Sequence, residues 1–170
     1  MLTAPDYQDS PANQRHIEAA VAPAPCPVRI GDPRLQAALL DAARRSPTLQ
    51  RQLARLTELS AIVYVEWTIR LPRLVEAVTE RQVIATPAVR YTRVFVQHAR
   101  ITDHLLSVLA HEFHHVLEGL EAGVVDRSSR ERPNRPGSGG TAMQVYETSA
   151  AIEVGLAVAR ELRDSTHPGR

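Results

Sequence analysis

His111 and His115 stand four residues apart, with Glu112 directly after the first, in the run Ser107-Val108-Leu109-Ala110-His111-Glu112-Phe113-His114-His115-Val116-Leu117. On an α-helix, residues four apart share a face with their Cβ atoms about 5–6 Å apart, so both imidazoles can aim at one point. That is the bite of a Zn²⁺ ion bound by two histidines. Glu112, one step around the helix, is placed to act as general base toward a water activated by the ion without being a ligand itself. A catalytic zinc takes a third protein ligand and leaves its fourth position to water.

The third ligand is expected at Glu147. A long helix is predicted from about 141 to 163, and Met143, Glu147, Ala150, Val154 and Ala157 share one stripe of it, so a single acid interrupts an apolar face. A carboxylate there is costly to bury unless it is paired or bound to metal. Glu153 is the rival on that helix, about 120° around from Glu147. Among the other histidines, His114 points about 60–100° away from both expected ligands. His104 lies two turns before His111, too far to share one ion at about 1.5 Å rise per residue. His98 can reach the site from the end of a strand.

These residues need a scaffold, and the pattern of the chain predicts an α+β fold. Residues 1 to 30, with five prolines and no sustained periodicity, read as a flexible arm. Asp32-Pro33 and Ser46-Pro47 are helix starts, predicting helices over about 33–45 and 47–58. Ala61 to Trp67, β-branched and aromatic, predicts a buried strand. A short helical stretch is expected near Leu74 to Val78, and a second strand over Gln82 to Ala85. Val89 to Val96 alternates as a further strand, its two faces being Tyr91, Arg93 and Phe95 against Thr92, Val94 and Val96. It is expected at a sheet edge, where it could bind an extended substrate by strand addition. Thr102-Asp103 caps the buried helix that carries the histidines. Residues 125–140 contain four Arg and no large apolar side chain after Val125 and read as a loop, with residues 164–170 as a tail.

The chain has 170 residues, 44% of them hydrophobic, and a net charge of +1, which suits one domain, here residues 31–163, with tails. All 20 basic residues are Arg, yet 19 acids balance them and no basic stripe emerges, so a nucleic-acid surface is not expected. Cys26 is the only cysteine, which excludes an intramolecular disulfide and points to a reducing compartment. It is read as an incidental residue of the arm. With no apolar leader at Met1 to Tyr7 and no run of about 18 apolar residues, a cytoplasmic location without a membrane span is expected.

His111-Glu112-xx-His115 followed by Glu147-Thr148-Ser149-Ala150 resembles the gluzincin class of zinc metallopeptidases. Val89-Arg90-Tyr91, the histidine run and Tyr146 to Ala151 are also similar to a group of small bacterial HExxH proteins, over about residues 60–163. The resemblance implies a small zincin-like domain, one Zn²⁺ held by His111, His115 and Glu147, and hydrolysis of a peptide or protein substrate. Gluzincins usually carry an acid four residues after the third ligand, where Ala151 stands here, so another group must support the first histidine's ring. Glu118, nearly one turn beyond His115, can serve as such a partner or stand simply as a surface acid. Tyr146, Tyr91 or a nearby Arg is available to stabilise an oxyanion. Two other readings stay open: a catalytically silent metal-binding or partner-binding module of the same fold, and a structural helix whose motif is accidental.

Overall fold

The computed structural model describes residues 26–80, 83–123 and 147–166. The described part is a mixed α+β structure in which four helices and a small five-stranded sheet follow the order β1 (Val28–Ile30), α1 (Pro33–Arg45), α2 (Pro47–Glu58), β2 (Ala61–Thr68), β3 (Ala77–Thr79), β4 (Ile84–Ala85), β5 (Arg90–Gln97), α3 (Asp103–Glu121) and α4 (Ser149–Thr166). The 125–140 loop, Tyr146, most of the N-terminal arm and the last four residues lie outside the described residues.

The first two helices begin where their caps require. The Asp32 side chain accepts from Arg34 N at 2.8 Å with Pro33 entering the first turn, and Ser46 Oγ accepts from Leu49 N at 3.1 Å with Pro47 in the same role. Ser46 closes α1 as well, donating its backbone N–H to the Ala42 carbonyl, so one residue turns the chain between two helices.

The sheet is ordered β1-β2-β5-β3, with β4 also pairing β5. β2 and β5 run parallel with Ala61 opposite Arg90 and Thr68 opposite Gln97, while β3 and β4 return antiparallel to β5. Three expectations are corrected here. Val28–Ile30, read as the end of an arm, is a strand parallel to β2, and its neighbour Pro27 accepts from Val63 N at 2.9 Å. The Leu74 to Val78 stretch is not helical: Ala77–Thr79 is a strand, because β5 offers it unsatisfied backbone groups that a five-residue helix could not match. β5 is therefore an interior strand, covered by β2 on one side and by β3 and β4 on the other, and β3 takes the edge position expected of it.

The period of two sorts each strand as expected. Thr92, Val94 and Val96 of β5, with Ala61, Val63 and Val65 of β2, are buried and join the core that Leu35, Leu39, Leu49, Leu56, Leu109 and Phe113 fill from the helices. Buried Gln52 donates to the Ala110 carbonyl at 2.9 Å, tying α2 to α3 one residue before His111. No described helix is long and apolar enough to cross a membrane.

The last helix differs from expectation in start and in phase. Thr148 Oγ1 accepts from Ala151 N at 3.1 Å, so the helix is capped there and Glu147 precedes it. The residues it buries are Ala151, Val158 and Leu162, about 100° around from the stripe expected through Ala150 and Ala157. Its C-terminal half is fastened by Glu161, whose carboxylate accepts from Ser46 Oγ at 2.5 Å, Thr48 Oγ1 at 2.7 Å and Thr48 N at 3.1 Å. A carboxylate thus caps the positive end of α2 from another helix.

Partial burial raises the Glu161 carboxyl, and the hydrogen bonds from Ser46 and Thr48 outweigh it, holding the group below its ordinary value. A depressed folded-state pKa contributes stability above the unfolded value, lost as pH falls through the folded one. Glu161→Ala should therefore cost about 2 kcal/mol near neutrality, or about 4–8 °C in Tm. In urea unfolding the gap from wild type should shrink between about pH 5 and pH 3. A gap that stays constant over that range would show that the charge on Glu161 contributes nothing.

Candidate metal centre

Thr102 starts the helix that bears the motif, its Oγ1 accepting from Leu105 N at 3.2 Å. From there Leu105, Leu106, Leu109, Phe113, Val116 and Leu117 turn inward. His111 and His115 come to the margin of that buried face, with side chains 17% and 13% exposed. Their Nε2 atoms stand 3.1 Å apart and the rings meet edge to face at 82°. Glu147 Oε2 lies 3.4 Å from His111 Nε2, and ligand atoms of all three residues fall within 4.8 Å of one another.

Two ligands at about 2.0–2.1 Å from a tetrahedral ion sit about 3.3–3.4 Å apart, so these spacings suit zinc. The proton arrangement suits it too. His115 Nδ1 donates to Glu118 Oε2 at 3.0 Å, which leaves His115 Nε2 as a bare lone pair facing His111 Nε2 and, beyond it, a carboxylate. With His111 in the tautomer that leaves its Nε2 unprotonated, three electron-rich atoms converge, an arrangement that a shared cation would favour. The physical reason expected for Glu147 is nevertheless corrected: its side chain is 50% exposed, so burial does not demand a partner, and it reaches the histidines from the turn before α4.

Glu118 supports the second histidine, whereas the resemblance left the first one in need of support. Partial burial raises the Glu118 carboxyl, but hydrogen bonds from Thr148 and His115 outweigh it and hold it below the ordinary range. An ionised Glu118 fixes the tautomer of His115 and makes it a better donor of its other nitrogen.

Glu112 is 7% exposed and accepts from Thr79 Oγ1 at 2.7 Å. Burial raises its carboxyl above the ordinary value, the Thr79 hydrogen bond opposing. Thr79 was not anticipated, since one threonine in a short strand has no local signature; only the antiparallel return of β3 over α3 brings it to the glutamate.

Gly155 is the second residue missed. A Cβ there would meet His111 Cβ at 3.3 Å and the Ser107 carbonyl at 3.4 Å, so α4 rests directly against the first histidine. Gly155→Ala should stay within about 1 kcal/mol of wild type, because improved helix propensity offsets the crowding. Gly155→Leu should cost about 1–3 kcal/mol and weaken zinc binding, since α4 must shift and Glu147 leads into it. Paired melting and zinc titrations check this, and unchanged zinc affinity in the leucine variant would sink it.

The remaining candidates are placed elsewhere. Tyr91 stacks on Tyr64, centroids 6.4 Å apart, on the sheet face opposite buried Thr92, so strand alternation turns it away from α3. His98 lies against Trp67 at 5.3 Å, and neither it nor Tyr91 lines the cleft over His111. His104 pairs with Glu76 at 2.8 Å on the rim of that cleft. His114 approaches Glu118 at 3.6 Å and shares a separate surface depression with Glu153 and Arg160. Cys26 is a half-buried free thiol on the far side of β1.

Comparison with protein-family models, curated proteins and solved structures yields no match to this chain. Function is therefore argued from the site alone.

Proposed function

We propose that the chain is a zinc-dependent hydrolase, a peptidase of the gluzincin type on a minimal zincin-like domain, with His111, His115 and Glu147 holding one Zn²⁺ and Glu112 as general base. The observation that carries this reading is the convergence of two imidazole nitrogens 3.1 Å apart and a carboxylate 3.4 Å from the first, beside a buried glutamate. When bound, the ion supplies Lewis acidity, polarising a carbonyl and bringing the pKa of water toward about 7. Glu112 accepts the proton of the attacking water and delivers it to the departing amine. A carboxyl raised by burial is better matched to both transfers near neutral pH than an ordinary one. Thr79 occupies Oε2, leaving Oε1 to take the proton.

The burial of that carboxylate favours turnover over a silent metal-binding module, because an interior ionisable group with a shifted pKa is more often found where it moves protons. A peptide substrate is favoured by β3, which among the described residues pairs only with β5. Gln97 N donates to the Glu76 carbonyl and Glu80 N to the Arg93 carbonyl, so Glu76, Val78 and Glu80 face β5 and the backbone groups of Ala77 and Thr79 face outward. Strand addition expected at residues 89–97 is thus proposed for β3 instead.

Protein purified without added metal should carry close to one zinc equivalent and should digest a peptide library. A metal-free wild type overturns the reading, and zinc without any digestion leaves the silent module in its place.

A further inference from the structure

We infer that the cleft over Glu112 selects peptides bearing a large apolar side chain. The inference deepens the hydrolase reading, on which it rests for the fate of the bound peptide, while the selectivity itself concerns binding.

A cleft of 410 Å³ lies over His111 and Glu112, between the segment entering β3 and the outer side of α4. Seven large hydrophobic side chains stand exposed among the described residues, and three of them line this cleft: Leu74 at 96%, Leu156 at 57% and Ile152 at 46%. Single exposed apolar residues are ordinary, but their concentration around one depression marks a binding surface. They are not overflow from the core. Ile152 and Leu156, one turn apart, form a second apolar stripe on α4, about 120° from the buried one of Ala151, Val158 and Leu162. Leu74 holds a left-handed backbone at φ 74°, a conformation that disfavours leucine relative to glycine, yet it is a leucine and it faces solvent at the cleft mouth. Val108 on α3 completes the apolar wall.

Glu76, Glu112 and Glu147 line the cleft and no Arg does, while the one histidine at its outer end, His104, is already engaged by Glu76 at 2.8 Å. A zinc ion held by His111, His115 and Glu147 would offset these acids, so the selectivity rests on the apolar side chains. A leucine buries apolar surface against Leu74, Ile152 and Leu156.

The test measures fluorescence anisotropy of dye-labelled Ala-Ala-X-Ala-Ala peptides, with X as Leu, Ala, Lys or Glu, binding to the zinc-supplied full chain carrying Glu112→Gln so that no peptide is cut. The leucine peptide should bind at least about tenfold more tightly than the alanine peptide, with lysine and glutamate gaining no such advantage over alanine. Leu156→Ser should remove most of the leucine advantage. So should Leu74→Gly, which relaxes the backbone at that position and is therefore expected to fold. Binding that does not depend on X, no saturable binding of any peptide, or a leucine preference untouched by both variants overturns the inference. Zinc content of the same samples separates the two claims: zinc without selectivity overturns this inference alone, and selectivity without zinc overturns the hydrolase reading alone.

Discussion

Glu112→Gln should leave about one zinc bound and lower peptide hydrolysis by about 10²–10⁴-fold. The amide matches the carboxylate in shape, and its carbonyl can still accept from Thr79, whose hydroxyl now reaches Glu112 Oε2 at 2.7 Å. What it cannot do is take a proton from water. Because burial pushes the Glu112 carboxyl up, the neutral amide removes a strained ionisation and should not lower the melting temperature. Loss of turnover with the fold and metal intact is the pattern expected of a base. A digest that persists unchanged in the variant would show that Glu112 moves no proton in the reaction.

His115→Ala should abolish stoichiometric zinc binding, and Glu118→Gln should weaken it by a smaller factor of about 10–100. The histidine supplies one of three ligand atoms clustered within 4.8 Å, so its removal leaves a pair that offers little more than an ordinary surface site. Glutamine at position 118 can still accept from His115 Nδ1 but no longer carries the charge that makes the ring a stronger donor. Competition against a chromogenic chelator ranks the three proteins. Equal affinities for wild type and Glu118→Gln would remove Glu118 from the site, and zinc retained by His115→Ala would place the ion elsewhere.

The parts of the fold that were legible in the sequence are those whose signals are local. Asp32-Pro33 and Ser46-Pro47 bound α1 and α2, the β-branched run placed β2, and Thr102 placed α3, because caps and periodicity act within a few residues. The paired histidines belong to the same class of signal. Val28–Ile30 and Ala77–Thr79 are strands of three residues each, too short to show a period, and they exist because β2 and β5 offer edges to pair with. The start of α4 has a local sign: Thr148 is a good cap directly before Ser149-Ala150-Ala151, and that cap overrides the apolar stripe that continues ahead of it. Phase follows start, so Glu147 stands in the turn before α4 rather than on one of its faces. Thr79, Gly155 and Glu161 are long-range choices, and their partners lie 33, 44 and 115 residues away in the chain at Glu112, His111 and Ser46.

The fastening of α4 by Glu161 would couple the proposed metal site to the cooperativity of folding. His111 and His115 are neighbours within one helix and meet as soon as α3 forms, whereas Glu147 reaches them only when α4 docks. If zinc binds as proposed, its binding and the docking of α4 are one equilibrium seen from two ends. Each tenfold excess of free zinc over its Kd adds about 1.4 kcal/mol to the docked state, and whatever loosens α4 weakens the affinity by the same route. Protonation of Glu161 on the α2 side should thus be felt at the zinc, although its partners there are Ser46 and Thr48 and it touches neither histidine.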